Sequence, residues 1–497
     1  MFSGAMFSSG FAESSDQTVK IQDIHADLMG NIIGFLKTGQ ISINGESVFD
    51  FLECAGMLQI ESLLRKCTHY VIKNLSIENA VDVFQTSLHL SLEELFSKAT
   101  QFILLHFNQL SHLTKLHKLT FKEFQYLLTH EHLPLTDNSE LHTLLDQWIE
   151  SDKEQRQPLR PKICQTIETI KRKSRVFPCC IGRYKKTPYV FLYNTDEERL
   201  EKLVSLQGKA TTSSLPGAGG DCVTACGFKV FSNGIGHSQF YVLGGEFGQF
   251  GKGKWNLNVW KYDTIDGEFT KVFELDDPVR HFTTASDSDQ FFVIGGFGRH
   301  RIILDSVHRY HQKSETLETE IIKPLPFSMY SVAAFYHDKL YVLKNSNQMW
   351  YFDCHKNNWE KAFSNVDFSQ QVIEFSFALY YEGHIYASAR HQHKLYSFPL
   401  ESDRVVQVTE IGTFQEEAQN LTLVDSKIFN FSSDQFDYFS TIECYDLQSR
   451  TFSTVFKSED QDIDFSPYYS FGCFPFSMLP RYQIPSFAYK SQEDEES

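Results

Sequence analysis

The sequence predicts an α plus all-β multidomain protein, with a helical first third followed by a six-bladed β-propeller. Three observations carry this expectation. Apolar residues keep a helical spacing to about residue 175 and then give way to short apolar strands. From that point a strand–turn–strand motif recurs six times. Two of the six units also place a double glycine after an apolar strand, Gly244-Gly245 and Gly295-Gly296.

The helical part reads as amphipathic stretches near 25–37, 47–56, 60–73, 77–88, 91–108, 120–129, 138–152 and 160–174. Leu88, Leu92, Leu95, Phe96 and Ala99 fall at three- and four-residue intervals, which paints one helix face. Ser76, Ser91, Thr120 and Asn138 precede periodic runs as cap residues, and Ser91 with Glu94 has the capping-box spacing. Thr18-Val-Lys-Ile21 alternates as a strand does. The basic run Lys171–Arg175 reads as a solvated helix end and linker, with a nuclear address as the alternative.

Beyond the linker, an aromatic is followed seven residues later by a bulky apolar residue. The pairs are Tyr193/Leu200, Tyr262/Phe269, Tyr310/Leu317, Phe352/Trp359, Phe398/Val405 and Tyr445/Phe452. Polar turns such as Asp263-Thr-Ile-Asp-Gly267 lie between partners, so each pair is expected to pack across a hairpin. Four strands in roughly 45–50 residues make one propeller blade. Unit one lacks an outer strand before Val176, and the segment 469–476 is expected to supply the missing strand and latch the ring.

Composition narrows the function. The 497 residues are 41% hydrophobic and 22% charged, as in ordinary globular chains, and no run of about 18 apolar residues is long enough to span a membrane. With 46 Lys and Arg against 63 Asp and Glu the net charge is −17, which disfavours nucleic-acid binding. Ten cysteines without a readable secretory signal suit reduced thiols, and a cytoplasmic protein is expected, with cytoskeletal or nuclear placement as alternatives. No enzyme constellation is legible. Gly244–Gly253 fits neither dinucleotide nor phosphate-loop spacing, and Cys222-x-x-x-Cys226 lacks a second ligand pair at zinc spacing. The vicinal Cys179-Cys180 read as inert buried thiols, and Cys54 and Cys67 lie on helices with no base beside them, so a nucleophilic role is unsupported. No cofactor and no metal are expected.

Specific residues carry a family resemblance. Asn79-Ala80, Phe102–Phe107, Ser139-Glu140 and Trp148–Arg156 resemble a BACK domain over 74–175. Phe2–Ser14, Phe35–Gly39, Phe51–Ala55 and Leu58-Gln59 resemble the second half of a BTB domain over 1–73. The glycine pairs, the repeated aromatics and Trp359 resemble kelch repeats over 176–476, followed by an acidic tail over 477–497. This order is that of the kelch-like family. The resemblance implies a non-enzymatic substrate adaptor of a cullin-3 RING ubiquitin ligase, whose propeller holds the target. It also implies that Phe11-Ala12-Glu13, a hydrophobic–any–Glu motif, contacts the cullin through Phe11 and Glu13. The first half of the BTB domain, which carries most of the family's dimer interface, has no counterpart here, so homodimerisation is doubtful. An actin- or cytoskeleton-binding scaffold without ligase role is the alternative.

In this family the loops between second and third blade strands receive the target. Here they carry Arg183, Lys185, Lys186, Lys252, Lys254, Arg299, Arg301, Lys344, Arg390 and Lys394 against Glu246, Asp434 and Asp437, a surplus near +7. Arg183, Lys185, Lys252, Lys254, Trp255, Arg299, Arg301 and Arg390 are therefore the expected target-binding residues. An acidic or phosphorylated segment is the expected ligand.

Overall fold

The computed structural model describes residues 24–111, 114–134, 138–170, 172–173, 175–185, 187–206, 227–233, 237–247, 254–287, 290–313, 316–327, 332–336, 338–345, 348–362, 373–401, 404–405, 407–418, 420–433, 439–458, 460, 462–465 and 472–489. The expected strand at Thr18–Ile21 and the motif residues Phe11 and Glu13 lie outside them. The chain divides into two compact units: Met1–Arg172 together with Leu479–Ser497, and Lys173–Met478.

The first unit is helical, with helices at Ala26–Thr38, Val48–Met57, Glu61–Lys73, Ala80–His89, Glu93–Leu105, Phe121–Leu128, Asn138–Glu150 and Arg160–Thr169. Its core is aromatic. Phe84, Phe96 and Tyr126 meet at ring separations of 5.4–6.3 Å, and Phe124 stacks on Trp148 at 4.7 Å. Arg156 lies 4.1 Å above the Trp148 ring and donates to the Trp148 carbonyl, so the Trp148–Arg156 stretch forms one local cluster.

Thr120 forms the full capping box with Glu123. The expected box at Ser91 does not form. Ser91 takes a left-handed φ of 53°, and its N–H donates to the Leu88 carbonyl, so it ends the preceding helix; Leu92 caps the next. The expected acidic tail also starts later than 477. Ser477 ends a strand, and the following segment packs on the helices: Gln101 donates to the carbonyls of Leu479 and Pro480, and the Tyr482 N–H donates to Ser97 Oγ. The Tyr482 ring meets His130 edge-on at 4.6 Å, with its hydroxyl 3.3 Å from His132 Nδ1.

The second unit is a ring of six antiparallel sheets. From the channel outwards, blade 2 runs Lys229–Asn233, Gln239–Leu243, Asn258–Asp263 and Phe269–Glu274, and blade 3 runs Thr283–Ser286, Gln290–Ile294, Val307–Lys313 and Thr316–Ile322. Blade 4 runs Val332–Tyr336, Lys339–Asn345, Gln348–Asp353 and Asn358–Lys361. Blade 5 runs Phe375–Tyr381, His384–Ala389 and Lys394–Glu401, with Arg404–Val405 and Thr409–Thr413 both on its outer side. Blade 6 runs Leu421–Val424, Lys427–Ser433, Ser440–Asp446 and Thr451–Ser458.

Blade 1 is built from both ends of the unit: Cys473–Ser477 pairs with Val176–Tyr184, which is followed outwards by Thr187–Asn194 and Arg199–Ser205. The latch expected from the sequence is thus present. However, Cys473–Ser477 is the innermost strand and not an outer one: it lines the channel and adjoins the inner strands of blades 2 and 6. Buried apolar clusters lie between successive blades, such as Phe177, Ile181, Leu192, Phe240 and Phe476 between blades 1 and 2.

Four of the repeated pairs sit directly opposite each other: Tyr193/Leu200, Tyr262/Phe269, Phe352/Trp359 and Tyr445/Phe452. Two do not. In blades 3 and 5 the ladder continues closer to the turn, to Lys313 opposite Thr316 and Glu401 opposite Arg404, which slides Tyr310 onto Thr319 and Val405 onto Leu400. The glycines are needed where they stand. Gly244 and Gly296 have φ of 73° and 93°, and a Cβ would fall 2.5 Å from the Phe282 ring and 2.7 Å from the Arg280 carbonyl oxygen.

Candidate functional site

Antiparallel strands reverse direction at every step, so two kinds of connection leave the same end of the ring. One joins the second and third strands of a blade; the other runs from an outer strand to the inner strand of the next blade. The loops expected to receive the target are of the first kind alone. The second kind brings Asp276, Asp277, Glu374, Glu416, Glu417, Asp460, Asp462 and Asp464 to the same face, and Asp305 joins them from the first kind of connection in blade 3. Among the described residues these acids, with Glu246, number ten against the eight loop cations Arg183, Lys185, Lys254, Arg299, Arg301, Lys344, Arg390 and Lys394. The expected surplus near +7 is therefore corrected to a mosaic of both signs.

The individual residues show how the charges are used. Arg183 is half-buried at the end of its strand, with Asp464 opposite. Lys185 is exposed at a left-handed turn (φ 49°); its N–H donates to the Asp462 carbonyl, and its Nζ is 3.6 Å from the Asp462 carboxylate. Arg390 lies 3.5 Å from Glu374, His391 3.2 Å from Glu417, and Lys394 2.8 Å from Glu410. These exposed pairs contribute little to stability but reduce the charge on offer. Lys186, Lys252, Asp434 and Asp437 lie outside the described residues.

Blades 2 and 3 differ. Lys254 and Trp255 form a short hairpin with Glu246–Phe247, in which Lys254 is exposed and Trp255 half-buried. Arg299, His300 and Arg301 form a single turn, with His300 and Arg301 left-handed at φ 56° and 61°. Backbone bonds from Gly298 to Ile302, Ile302 to Arg299 and Leu304 to Gly296 hold that turn outward. Beside it Ile302 and Ile303 are 59% and 46% exposed, which the sequence reading missed because they read as ordinary strand residues. Lys254 and Arg299 have no ion pair among the described residues.

Beneath this loop lies a buried pair. Arg280 Nη1 is 3.5 Å from Glu246 Oε2, with side-chain exposures of 7% and 0%, and the guanidinium lies 5.7 Å from the Phe297 ring. Phe297 bridges Arg280 and Ile303 through its backbone, so the pair anchors the root of the exposed loop. Next to it, burial lowers the His281 pKa to about 4, helped by Arg280 and Lys229, so the ring is neutral at pH 7. Among the described residues no cluster of His, Cys, Asp and Glu could hold a metal ion, and no helix is long and apolar enough to cross a membrane.

Comparison with known proteins bears on both units. Residues 2–75 match the family model described as BTB/POZ domain, and residues 80–170 match BTB And C-terminal Kelch. Kelch-like protein 40 of Xenopus laevis is 25% identical over 310 residues, covering 59% of this chain and 49% of that protein. Kelch-like ECH-associated protein 1B of Danio rerio is 27% identical over 163 residues, 33% of this chain and 28% of that protein. Kelch-like protein 7 of Homo sapiens is 25% identical over 166 residues, 33% of this chain and 28% of that protein. The chain thus spans about half or less of the length of these relatives.

Proposed function

This chain belongs to the BTB–BACK–kelch family, and from that premise we propose that it is a substrate-recognition adaptor of a cullin-3 RING ubiquitin ligase. The helical unit holds the cullin, through Phe11 and Glu13 among others. The propeller holds the target. The protein does no chemistry itself; it raises the concentration of its target beside a ubiquitin-loaded partner. The observation that carries this reading is a closed ring with an irregular loop end, preceded by matched BTB and BACK segments.

On the loop face, the contact is centred on blades 2 and 3. Lys254, Trp255, Arg299 and Arg301 stand there with exposed Ile302 and Ile303. An aliphatic patch flanked by cations suits a target segment that combines an apolar side chain with a carboxylate or phosphate. Lys185 and Arg390, already beside carboxylates, contribute less than expected from the sequence.

The test is co-precipitation of the full chain with purified cullin-3. Phe11→Ala with Glu13→Ala should weaken capture at least about tenfold. Arg299→Glu with Ile302→Ser should leave cullin capture intact and remove the propeller's targets from mass-spectrometric recovery. Wild type that ignores cullin-3 but sediments with filamentous actin would replace this reading with the scaffold. Unchanged targets in the loop variant would overturn the assignment to blades 2 and 3.

A further inference from the structure

The ring closes on two facing thiols. Cys180, in the second strand of blade 1, is directly opposite Cys473, the first residue of the innermost strand. The neighbouring pair is hydrogen-bonded, Ile181 N–H donating to the Gly472 carbonyl at 3.0 Å. Antiparallel pairs alternate, so Cys180 and Cys473 occupy a non-hydrogen-bonded position, where Cα atoms stand about 4.5 Å apart and side chains lie closest. That spacing is within the range a disulfide bridges without moving the backbone. The two side chains act on each other directly, and neither is linked to another cysteine.

The surroundings differ for the two sulfurs. Cys180 is fully buried, with its thiol also directed to the Ile181 carbonyl at 3.4 Å. Cys473 is half-buried and lines the central channel, a cavity of about 510 Å³ bounded by the inner strands of all six blades. Lys229 lines the same channel, and its ammonium lies 6.0 Å from the Phe377 ring of blade 5. It is the cation that acts on Cys473, whereas Cys179 and Cys180 act on it from the adjacent strand.

We propose that Cys180 and Cys473 are an oxidisable dithiol, converted by a small hydroperoxide entering the channel into a disulfide that fastens the closing strand covalently. Cys473 attacks first, as the one of the two residues that lines the channel and has the Lys229 ammonium acting on it. Its thiolate forms a bond to one peroxide oxygen, the O–O bond breaks, and hydroxide leaves and is protonated to water. Cys180 then attacks the sulfenic sulfur, the S–O bond breaks, and a second water leaves. Two thiols and one hydrogen peroxide thus give one disulfide and two waters. Burial holds the Cys473 thiol well above its ordinary pKa, with Lys229 opposing, so the first step is slow near pH 7 and quickens in alkali. Nearly the whole ring lies between the two cysteines in sequence, so the bond constrains the unfolded chain strongly.

The experiment uses the folded full-length chain and hydrogen peroxide, with non-reducing peptide mapping and calorimetry. The expected product is 2 Da lighter, with the peptides of Cys180 and Cys473 linked. Its propeller transition should move up by about 5–8 °C and return on treatment with a thiol reductant. Cys180→Ser should leave Cys473 as a sulfenic acid that a cyclic 1,3-dione labels, and Cys473→Ser should yield neither product. If the folded wild type keeps both thiols, or carries oxygen on Cys473 without a link to Cys180, the proposal fails.

Discussion

Glu246→Gln removes the carboxylate charge facing Arg280 while keeping its shape. At 3.5 Å and an effective dielectric constant of about 20, the attraction lost is about 5 kcal/mol. Part of it is offset because Glu246 no longer has to be desolvated. What remains is a guanidinium only 7% exposed that has lost the Glu246 charge, and breaking such a pair costs about 3–5 kcal/mol. The propeller unit spans Lys173–Met478, roughly 300 residues. At about 2.1 cal/mol/K per residue its unfolding entropy is near 0.6 kcal/mol/K, so a loss of about 4 kcal/mol lowers its transition by about 6 °C. Calorimetry of the full chain reads this directly. Arg280→Met should cost a similar amount, and the double variant Glu246→Leu with Arg280→Met should regain more than half of the loss, since two apolar groups leave no buried charge. The reasoning is refuted if Glu246→Gln stays within about 1 °C of wild type, or if the double variant regains less than half of the loss.

Further outcomes follow from the same packing. Gly296→Ala forces a Cβ to 2.7 Å from the Arg280 carbonyl oxygen at φ 93°, and should lower the propeller transition by several degrees in a thermal scan. Phe476→Ala empties a fully buried position in the closing strand, and should cost about 3–5 kcal/mol by the same measurement. Tyr482→Phe should cost the helical unit about 1 kcal/mol through the lost hydroxyl contact to His132, and Tyr482→Ala about 3–5 kcal/mol, read by helical circular dichroism on heating. Burial lowers the pKa of His130 and His281 to about 4, against 6.5 when unfolded. Between those values the unfolded chain binds protons that the folded chain refuses, so stability is full above about pH 6.5 and falls as pH drops towards 4. Melting curves across that window should show the decline, with His130→Gln flattening it in the helical unit.

Much of this architecture is legible in the residues because it rests on local chemistry. The aromatic-to-apolar spacing sets the number of blades, since each hairpin repeats the same cross-strand contact. Tyr310 and Phe398 are where that logic slips, because their hairpins pair closer to the turn and the seven-residue spacing no longer means opposition. The strand at Cys473–Ser477 was identifiable from the gap in unit one, but an isolated apolar segment does not announce whether it belongs at the hub or the rim. The charge of the loop face was misjudged for a topological reason: Asp462, Glu374 and Glu417 come from connections between blades, far in sequence from Lys185, Arg390 and His391. The buried partnership of Glu246 and Arg280 left no sequence signal at all, since neither residue type reveals its burial. Ser91 shows the limit of spacing rules, because its left-handed backbone closes one helix where the motif would open another.

The strip Leu479–Tyr489 has a consequence for synthesis. Because it packs with residues of the first unit, the ring is topologically an insertion inside the helical fold. A ribosome must therefore finish every blade before it can deliver Tyr482 to His132. Until then the nascent bundle waits with the Ser97 hydroxyl and the Gln101 amide uncovered, an interval in which a chaperone would find it.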